Sequence, residues 1–331
     1  MPFADIIGHD QVIEVFRRAL RSGKTSHSYI FEGPAGCGRR TTALALVQAL
    51  FCPAVDDDAC GVCPSCRKVA SGSHADIHLI EPDGQFIKIE QVRELQRDLG
   101  LRPYEAPRKA CIIESAERFN PAAGNSLLKT LEEPPGSAII ILLTENVGML
   151  LPTIRSRCQL IRFAPLSPES VCLLLERSGS DADAAAVRAA MAEGSMQRAL
   201  ELDDEALAAR REALIKHLTA LDLNRIATIF DASEELAGTR DETLETVDLL
   251  LSFSRDVVHL ASGSTDIVNI NLRPALETFA ARYSLDGALQ LVGDVMETRR
   301  SIQRNANNKL ALDQLFMKMA GAASEHPGRY T

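Results

Sequence analysis

The sequence predicts an α/β domain followed by an all-α remainder. Short apolar runs alternate with helix-period segments as far as Phe163, the pattern of a parallel sheet covered on both faces. A glycine-rich stretch, Gly33-Pro34-Ala35-Gly36-Cys37-Gly38-Arg39-Arg40-Thr41, stands between an apolar run and a helical run, where a phosphate-cradling loop stands. Beyond Pro165 and Pro168 the spacing is helical throughout.

In chain order, Val12, Ile13, Val15, Phe16, Ala19 and Leu20 recur at helical spacing, and Gly23 suits the end of that helix. Tyr29-Ile30-Phe31 is a short strand, and the helix after the glycine stretch runs to about Phe51. Residues 52–66 are cysteine-rich and read as loop. His78-Leu79-Ile80-Glu81-Pro82 reads as a second strand ended by proline, and Ile87–Leu99 as a charged helix. Lys109–Glu114 is a third strand, Asn120–Leu131 a helix, and Ala138–Leu143 a fourth strand ending at Thr144. Cys158–Phe163 is the fifth. Residues 168–202 read as short helices broken at 181–183, and the stretch from Asp204 to Gly321 as longer helices rich in Ala and Leu. Among their apolar positions are Leu249, Leu250, Phe253, Val257 and Val258, and Leu289, Leu291, Val292 and Val295. The tail from Glu325 is expected to fray.

The chain has 331 residues, room for two or three domains. It lacks Trp, so aliphatic residues and a few Phe must fill the core. A net charge of −9 argues against a protein gripping DNA mainly through its phosphates. There is neither a long apolar run nor a basic-then-apolar start, so the expected location is cytoplasmic, with no membrane role.

The glycine stretch has the shape of a nucleotide site without its working groups. After Gly38 the pattern calls for Lys on the terminal phosphates and Ser or Thr on magnesium, and Arg39 and Arg40 stand there. Arg is a planar fork where Lys is a compact charge, so the exchange is not conservative. Gly33, Gly36, Gly38, Arg39 and Thr41 are therefore candidate nucleotide contacts in a degenerate loop, read as a relic in preference to a working ATP site. Glu114-Ser115 follows the third strand, where phosphate-hydrolysing relatives of such loops carry a magnesium-binding Asp and a water-activating Glu. Ser lacks a carboxylate to act as that base. The glycine loop, Glu114 and Thr144 all fall at strand carboxyl ends, where one site gathers in such sheets.

Cys52, Cys60, Cys63 and Cys66 form a C-x7-C-x2-C-x2-C cluster. Four thiolates on tight turns suit tetrahedral zinc. An iron–sulfur cluster or free thiols are the alternatives. Four protein ligands leave no open position, so the role is structural. His27 reads as structural, His74 and His78 are not needed by a complete four-thiol shell, and no Ser/His/Asp or Cys/His arrangement stands out. Arg157, in Ser156-Arg157-Cys158, is by itself an ordinary loop charge.

Several runs together resemble the bacterial clamp-loader subunits, AAA+ proteins of DNA polymerase III. They are Ile6-Ile7-Gly8-His9-Asp10, Ser26-His27-Ser28-Tyr29-Ile30-Phe31-Glu32-Gly33, Asn125-Ser126-Leu127-Leu128-Lys129-Thr130-Leu131-Glu132-Glu133-Pro134-Pro135 and Thr153-Ile154-Arg155-Ser156-Arg157-Cys158. The cysteine module after the first long helix belongs to the same set. The resemblance covers roughly the first 200 residues. Asn307-Asn308-Lys309-Leu310-Ala311-Leu312 carries what signal the remainder has.

The resemblance implies a RecA-like domain over 1–165 with a zinc module at 52–66, a small helical lid over 166–203 and a helical collar for oligomerisation over 204–331. ATPase members of the family carry a second sensor Arg where Gln197 stands, and Arg198 is one step off. Together with Arg39, Arg40, Glu114 and Ser115 this implies a member that does not hydrolyse ATP, with ATP binding not expected. The Arg of Ser-Arg-Cys is the family's arginine finger, so Arg157 is expected to act in trans on an adjacent ATPase subunit. The expected function is a non-hydrolysing accessory subunit of the clamp loader, part of the DNA polymerase III holoenzyme in DNA replication. Its expected partners are the motor ATPase subunits and the delta subunit and, indirectly, the sliding clamp and primer-template DNA. The rival readings are an active clamp-loader ATPase with a variant loop, and a stand-alone zinc-dependent DNA-binding module, which the net charge opposes.

Overall fold

The computed structural model describes residues 2–202, 204–265 and 267–324. The chain divides into two compact units, one of residues 1–170 with 194–197, the other of 171–193 with the residues from 198 on. The tail from Glu325, expected to fray, lies outside the described residues.

The first unit is a five-stranded parallel sheet of β1 (Ser28–Glu32), β2 (Ile77–Ile80), β3 (Ala110–Ile113), β4 (Ile139–Thr144) and β5 (Gln159–Arg162). The spatial order is β2-β3-β4-β1-β5. β1 lies between β4 and β5, with Tyr29 opposite Ile141 on one side and Gln159 on the other. All six residues of β4 are buried, which is why its sequence is apolar without alternation. Its odd positions Ile139, Ile141 and Leu143 face one way, into a core with Tyr29 and Phe31. Ile140 and Leu142 face the other way, with Ile30 and Cys111.

Helices cover both faces. α1 (Asp10–Arg21) and α2 (Arg39–Phe51) bring Ile13, Phe16, Leu46 and Val47 to the first core. α4 (Ile89–Leu99) and α5 (Pro121–Glu132) bring Val92, Leu95, Leu127 and Leu131 to the second. Phe16, Tyr29, Phe31 and Phe163 pack edge-on or tilted in the first core, with Phe16 to Phe31 at 5.5 Å and Phe31 to Phe163 at 5.0 Å between ring centres. They supply the bulk that a chain without Trp must find elsewhere. The unit also holds the one-turn α6 (Pro152–Arg155).

The cysteine stretch departs from the expected loop. Its last part is a helix, α3 (Pro64–Ala70). Cys63 caps it by accepting the amide of Cys66, and Pro64 takes the first helical position.

The second unit is helical: α8 (Ala182–Met191), α10 (Asp204–Ala220), α11 (Ala227–Leu236), α12 (Arg240–Ala261), α13 (Arg273–Ala280), α14 (Leu285–Gln303) and α15 (Asn308–Ser324). The division between the units falls within α7 (Pro168–Arg177) and α9 (Met196–Glu201). α12 is central, burying Val247, Leu250, Phe253 and Val257 in a core with Leu291 and Val295 of α14. Leu289, expected among the apolar positions of α14, is 54% exposed, because it lies on the flank that Leu285 and Met296 share. Among the described residues no helix is long and apolar enough to cross a membrane. The parallel sheet followed by a helical domain is the α/β plus all-α architecture that the sequence predicts.

Candidate functional site

The glycine loop leaves the carboxyl end of β1 and enters α2 through Gly38, whose φ is +99°. Gly36 also has positive φ, +71°, and it is hemmed in. A Cβ there would lie 2.1 Å from Ser195 Oγ and 2.9 Å from the Gln197 amide nitrogen. Only glycine fits both the conformation and the contact. The Met196 amide donates to Gly36 O at 3.0 Å, so residues 195–197 lie directly on the loop. His9, 5% exposed, donates from Nε2 to Cys37 O at 2.6 Å and packs edge-on against Phe163. Neither composition nor spacing gives His9 a role; its one signal in the sequence is its place in Ile7-Gly8-His9-Asp10.

The two arginines are held by carboxylates. Arg39 is largely buried, with Nη2 3.8 Å from Glu145 Oε1. Arg40 Nη1 lies 2.6 Å from Glu114 Oε1 and 3.1 Å from Glu81 Oε1. The contact with Glu114 is a close charge pair without aligned hydrogen-bond geometry. Burial raises the Glu114 carboxyl above the ordinary range, the Arg40 charge pulls it down, and Glu81 pushes it up. Ser115 adopts the left-handed region, φ +48°, and carries no carboxylate.

Of the other candidates, Thr41 is exposed at the start of α2. Thr144 is buried at the end of β4, and its hydroxyl donates to Glu117 Oε2 at 2.6 Å. The structure therefore gathers the glycines, Arg39, Arg40, Glu81, Glu114, Glu145 and Gln197. Arg198 belongs to the second unit, where it pairs with Asp248 and, at 2.9 Å, with Glu193. Arg299 bonds the same two carboxylates.

Arg157 stands apart from the loop residues. Its Nη1 donates to Thr153 O at 2.9 Å, and its Nη2 pairs with Glu132 Oε1 at 2.5 Å at the end of α5. One third of its side chain is exposed.

At the far end of α2 the four cysteine Sγ atoms lie within 4.8 Å of one another. Backbone amides point at the sulfurs: Cys60 N to Cys52 Sγ at 3.3 Å, Cys63 N to Cys60 Sγ at 3.4 Å, Cys66 N to Cys63 Sγ at 3.4 Å. Tetrahedral zinc with bonds of about 2.3 Å sets sulfurs about 3.8 Å apart, and Cys60 and Cys66 are 3.9 Å apart. Amides of Val62 and Cys63 pull the Cys60 thiol down, whereas burial pushes Cys66 up. A cation shared by all four sulfurs offsets that burial cost, so the residues fit a zinc ion. The module is tied to α1 through Arg17 to Asp58 at 2.8 Å and Arg21 to Asp57 at 2.5 Å. His74 is outside it, buried and packed at a tilt against Phe51, 4.9 Å between ring centres.

The family model for the DNA polymerase III delta subunit matches residues 8–167, and that for its C-terminal region matches 205–320. The DNA polymerase III subunit delta' of Bacillus subtilis is 29% identical over 93% of this chain and 95% of its own. The chain belongs to the delta-prime family of DNA polymerase III. The Pseudomonas aeruginosa delta' is 39% identical over 40% of this chain and 42% of its own. The family borders on another: the gamma/tau subunit of Mycobacterium tuberculosis is 32% identical over 71% of this chain, which spans 43% of that protein. Both sets of relatives are subunits of the clamp loader, and the chain has that general role.

Proposed function

We propose that the chain is a non-hydrolysing accessory subunit of the clamp loader that supplies Arg157 in trans to an adjacent ATPase subunit. The observation that carries this reading is a separation within the first unit. The chain's own loop has its two working positions taken by Arg39 and Arg40, paired to Glu145 and to Glu114 and Glu81. Arg157 bonds Thr153, Ser156 and Glu132 instead, at a partly exposed surface. With Ser115 in the base's place the loop lacks a group to activate water. A guanidinium brought to a neighbour's nucleotide stabilises charge that develops during phosphoryl transfer.

In this reading the partners are motor ATPase subunits and the delta subunit, with the sliding clamp and primer-template DNA met through the assembly. Residues 166–203 act as a lid and 204–331 as a collar. The four cysteines hold one structural zinc ion. A multi-iron cluster would hold its thiolates farther apart than the ligands of a single ion, and the 4.8 Å limit supports zinc over it. The test is ATP turnover. The purified chain should show none above background, and a reconstituted complex carrying Arg157→Ala should assemble but hydrolyse ATP more slowly. Turnover by the chain alone, abolished by Arg39→Ala, would establish the rival reading of a working ATPase.

A further inference from the structure

An AAA+ loop implies magnesium nucleotide, and the residues here do not fit it. The pattern places a hydroxyl after the lysine as a magnesium ligand, and the metal links the loop to an acid at the carboxyl end of another strand of the sheet. Arg40 holds that position. Its guanidinium lies 2.6 Å from Glu114, which follows β3, and 3.1 Å from Glu81, which follows β2. We infer that Arg40 is a resident cation standing in the divalent metal's place, closing a cradle whose backbone is otherwise intact.

Three features support the inference. The charge matches: two carboxylates converge at strand carboxyl ends, and one fixed cation lies against both. The cation is permanent, because a guanidinium stays protonated under all ordinary conditions and cannot be chelated away. The cradle has kept its form. Gly36 and Gly38 hold positive φ, His9 pins Cys37 O, and the 13-residue α2 begins at Arg39 with no side-chain cap on its N-terminus. Amides there are suited to an anion. Arg39 is drawn off toward Glu145 at 3.8 Å, away from a lysine's role.

The consequence is a latent site for a nucleoside triphosphate, reopened by restoring two side chains. The inference rests on the non-hydrolysing reading but fails separately from it. The experiment uses the full chain and measures ATP binding by equilibrium dialysis with magnesium chloride or with EDTA. The wild-type chain should show no magnesium-dependent binding. Arg39→Lys with Arg40→Thr should bind ATP about tenfold or more tighter in magnesium than in EDTA, and adding Glu114→Gln should remove that dependence. A folded double variant with no magnesium-dependent binding overturns the resident-cation inference and leaves the functional reading standing. Magnesium-dependent binding by the wild-type chain also overturns it. Hydrolysis by the wild-type chain overturns the functional reading. Should the double variant not fold, Arg40→Ala alone serves. Millimolar magnesium or manganese should raise its melting temperature and leave that of wild type unmoved, and an unmoved variant overturns the inference.

Discussion

The two ends of α2 carry opposite histories. At its N-terminus the backbone turns through Gly36 and Gly38 at positive φ, as a phosphate cradle does, while Arg39 and Arg40 stand where the pattern calls for Lys and a hydroxyl. At its C-terminus the chain enters a module whose four ligand side chains are all present and converge. Geometry survives at one end because it joins β1 to α2, and both are built into the core. At the other end the four cysteines make up most of the apolar packing: among the described residues their buried cluster adds only Ala59, and ion pairs to α1 complete the support. A cross-link would steady a helix-to-strand link of that composition, and the proposed zinc ion would supply it.

The contrast predicts where substitutions should be felt. In the proposed reading the loop end is silent, and the largest single effect on ATP hydrolysis should come from outside it. Arg157→Ala in a reconstituted complex should lower turnover at the site it serves by about 10³-fold, the scale of a removed arginine finger. Single-turnover hydrolysis in the assembled complex measures this. Normal turnover with the variant incorporated would remove the trans role.

At the cysteine end the effect should be on stability. Cys63→Ser removes a ligand and weakens the cap of α3 together. Loss of a structural metal belongs to the class of changes costing about 4 kcal/mol or more. The expectation is a melting temperature well below wild type, with wild type falling toward the variant after chelation and recovering with added zinc. Equal melting with and without chelator would sever the module from the fold.

What the sequence made legible follows the same division. The strands were readable because the central residues of β1, β3 and β4 are buried on both faces and so are apolar without alternation. The cysteine cluster was readable because its chemistry depends on residue type and spacing, and the four sulfurs do converge. α3 was missed because a cysteine cap has no place among the usual capping residues, and its amide-to-sulfur bond needs the folded turn to be seen. Likewise Arg40 could be read as wrong for magnesium, but not as paired. Glu81 and Glu114 lie 41 and 74 positions away and meet it only because β2 and β3 end side by side. His9 was similarly opaque, since its partner is a backbone carbonyl 28 residues on.

Smaller effects sharpen the contrast. Gly36→Ala puts a methyl group against Ser195 and the Gln197 amide at positive φ, and should cost about 1–3 kcal/mol. Thermal melting reads it, and a neutral result would mean that residues 195–197 yield. Near the cysteine end, Asp76 is buried and accepts amides of Tyr104, Glu105 and Ala106 at 2.6–2.8 Å. Burial raises its carboxyl, but the three amides together hold it below the ordinary range. Its contribution is therefore present at neutral pH and lost as pH falls through the depressed value. Asp76→Asn should lower stability at neutral pH by about 1–3 kcal/mol and flatten the acid limb of stability against pH. An unchanged acid limb would assign that limb to other groups.

The least effect on stability is expected at Arg40. Its side chain is half exposed, and Glu81 is more exposed still. Solvent screening leaves such a pair worth about 0–1 kcal/mol, so Arg40→Met should melt close to wild type. The sign of its pH dependence is the more telling reading. Glu114 already has a raised carboxyl, with Arg40 the main influence pulling it down. Without Arg40 it rises further. A carboxyl raised in the folded state destabilises while ionised, and the penalty is relieved as pH falls through the folded value. The gap between variant and wild type should therefore be widest near neutrality and close on acidification. A gap constant across pH would mean that Arg40 acts through packing of its aliphatic stem, with no charge borne for Glu114.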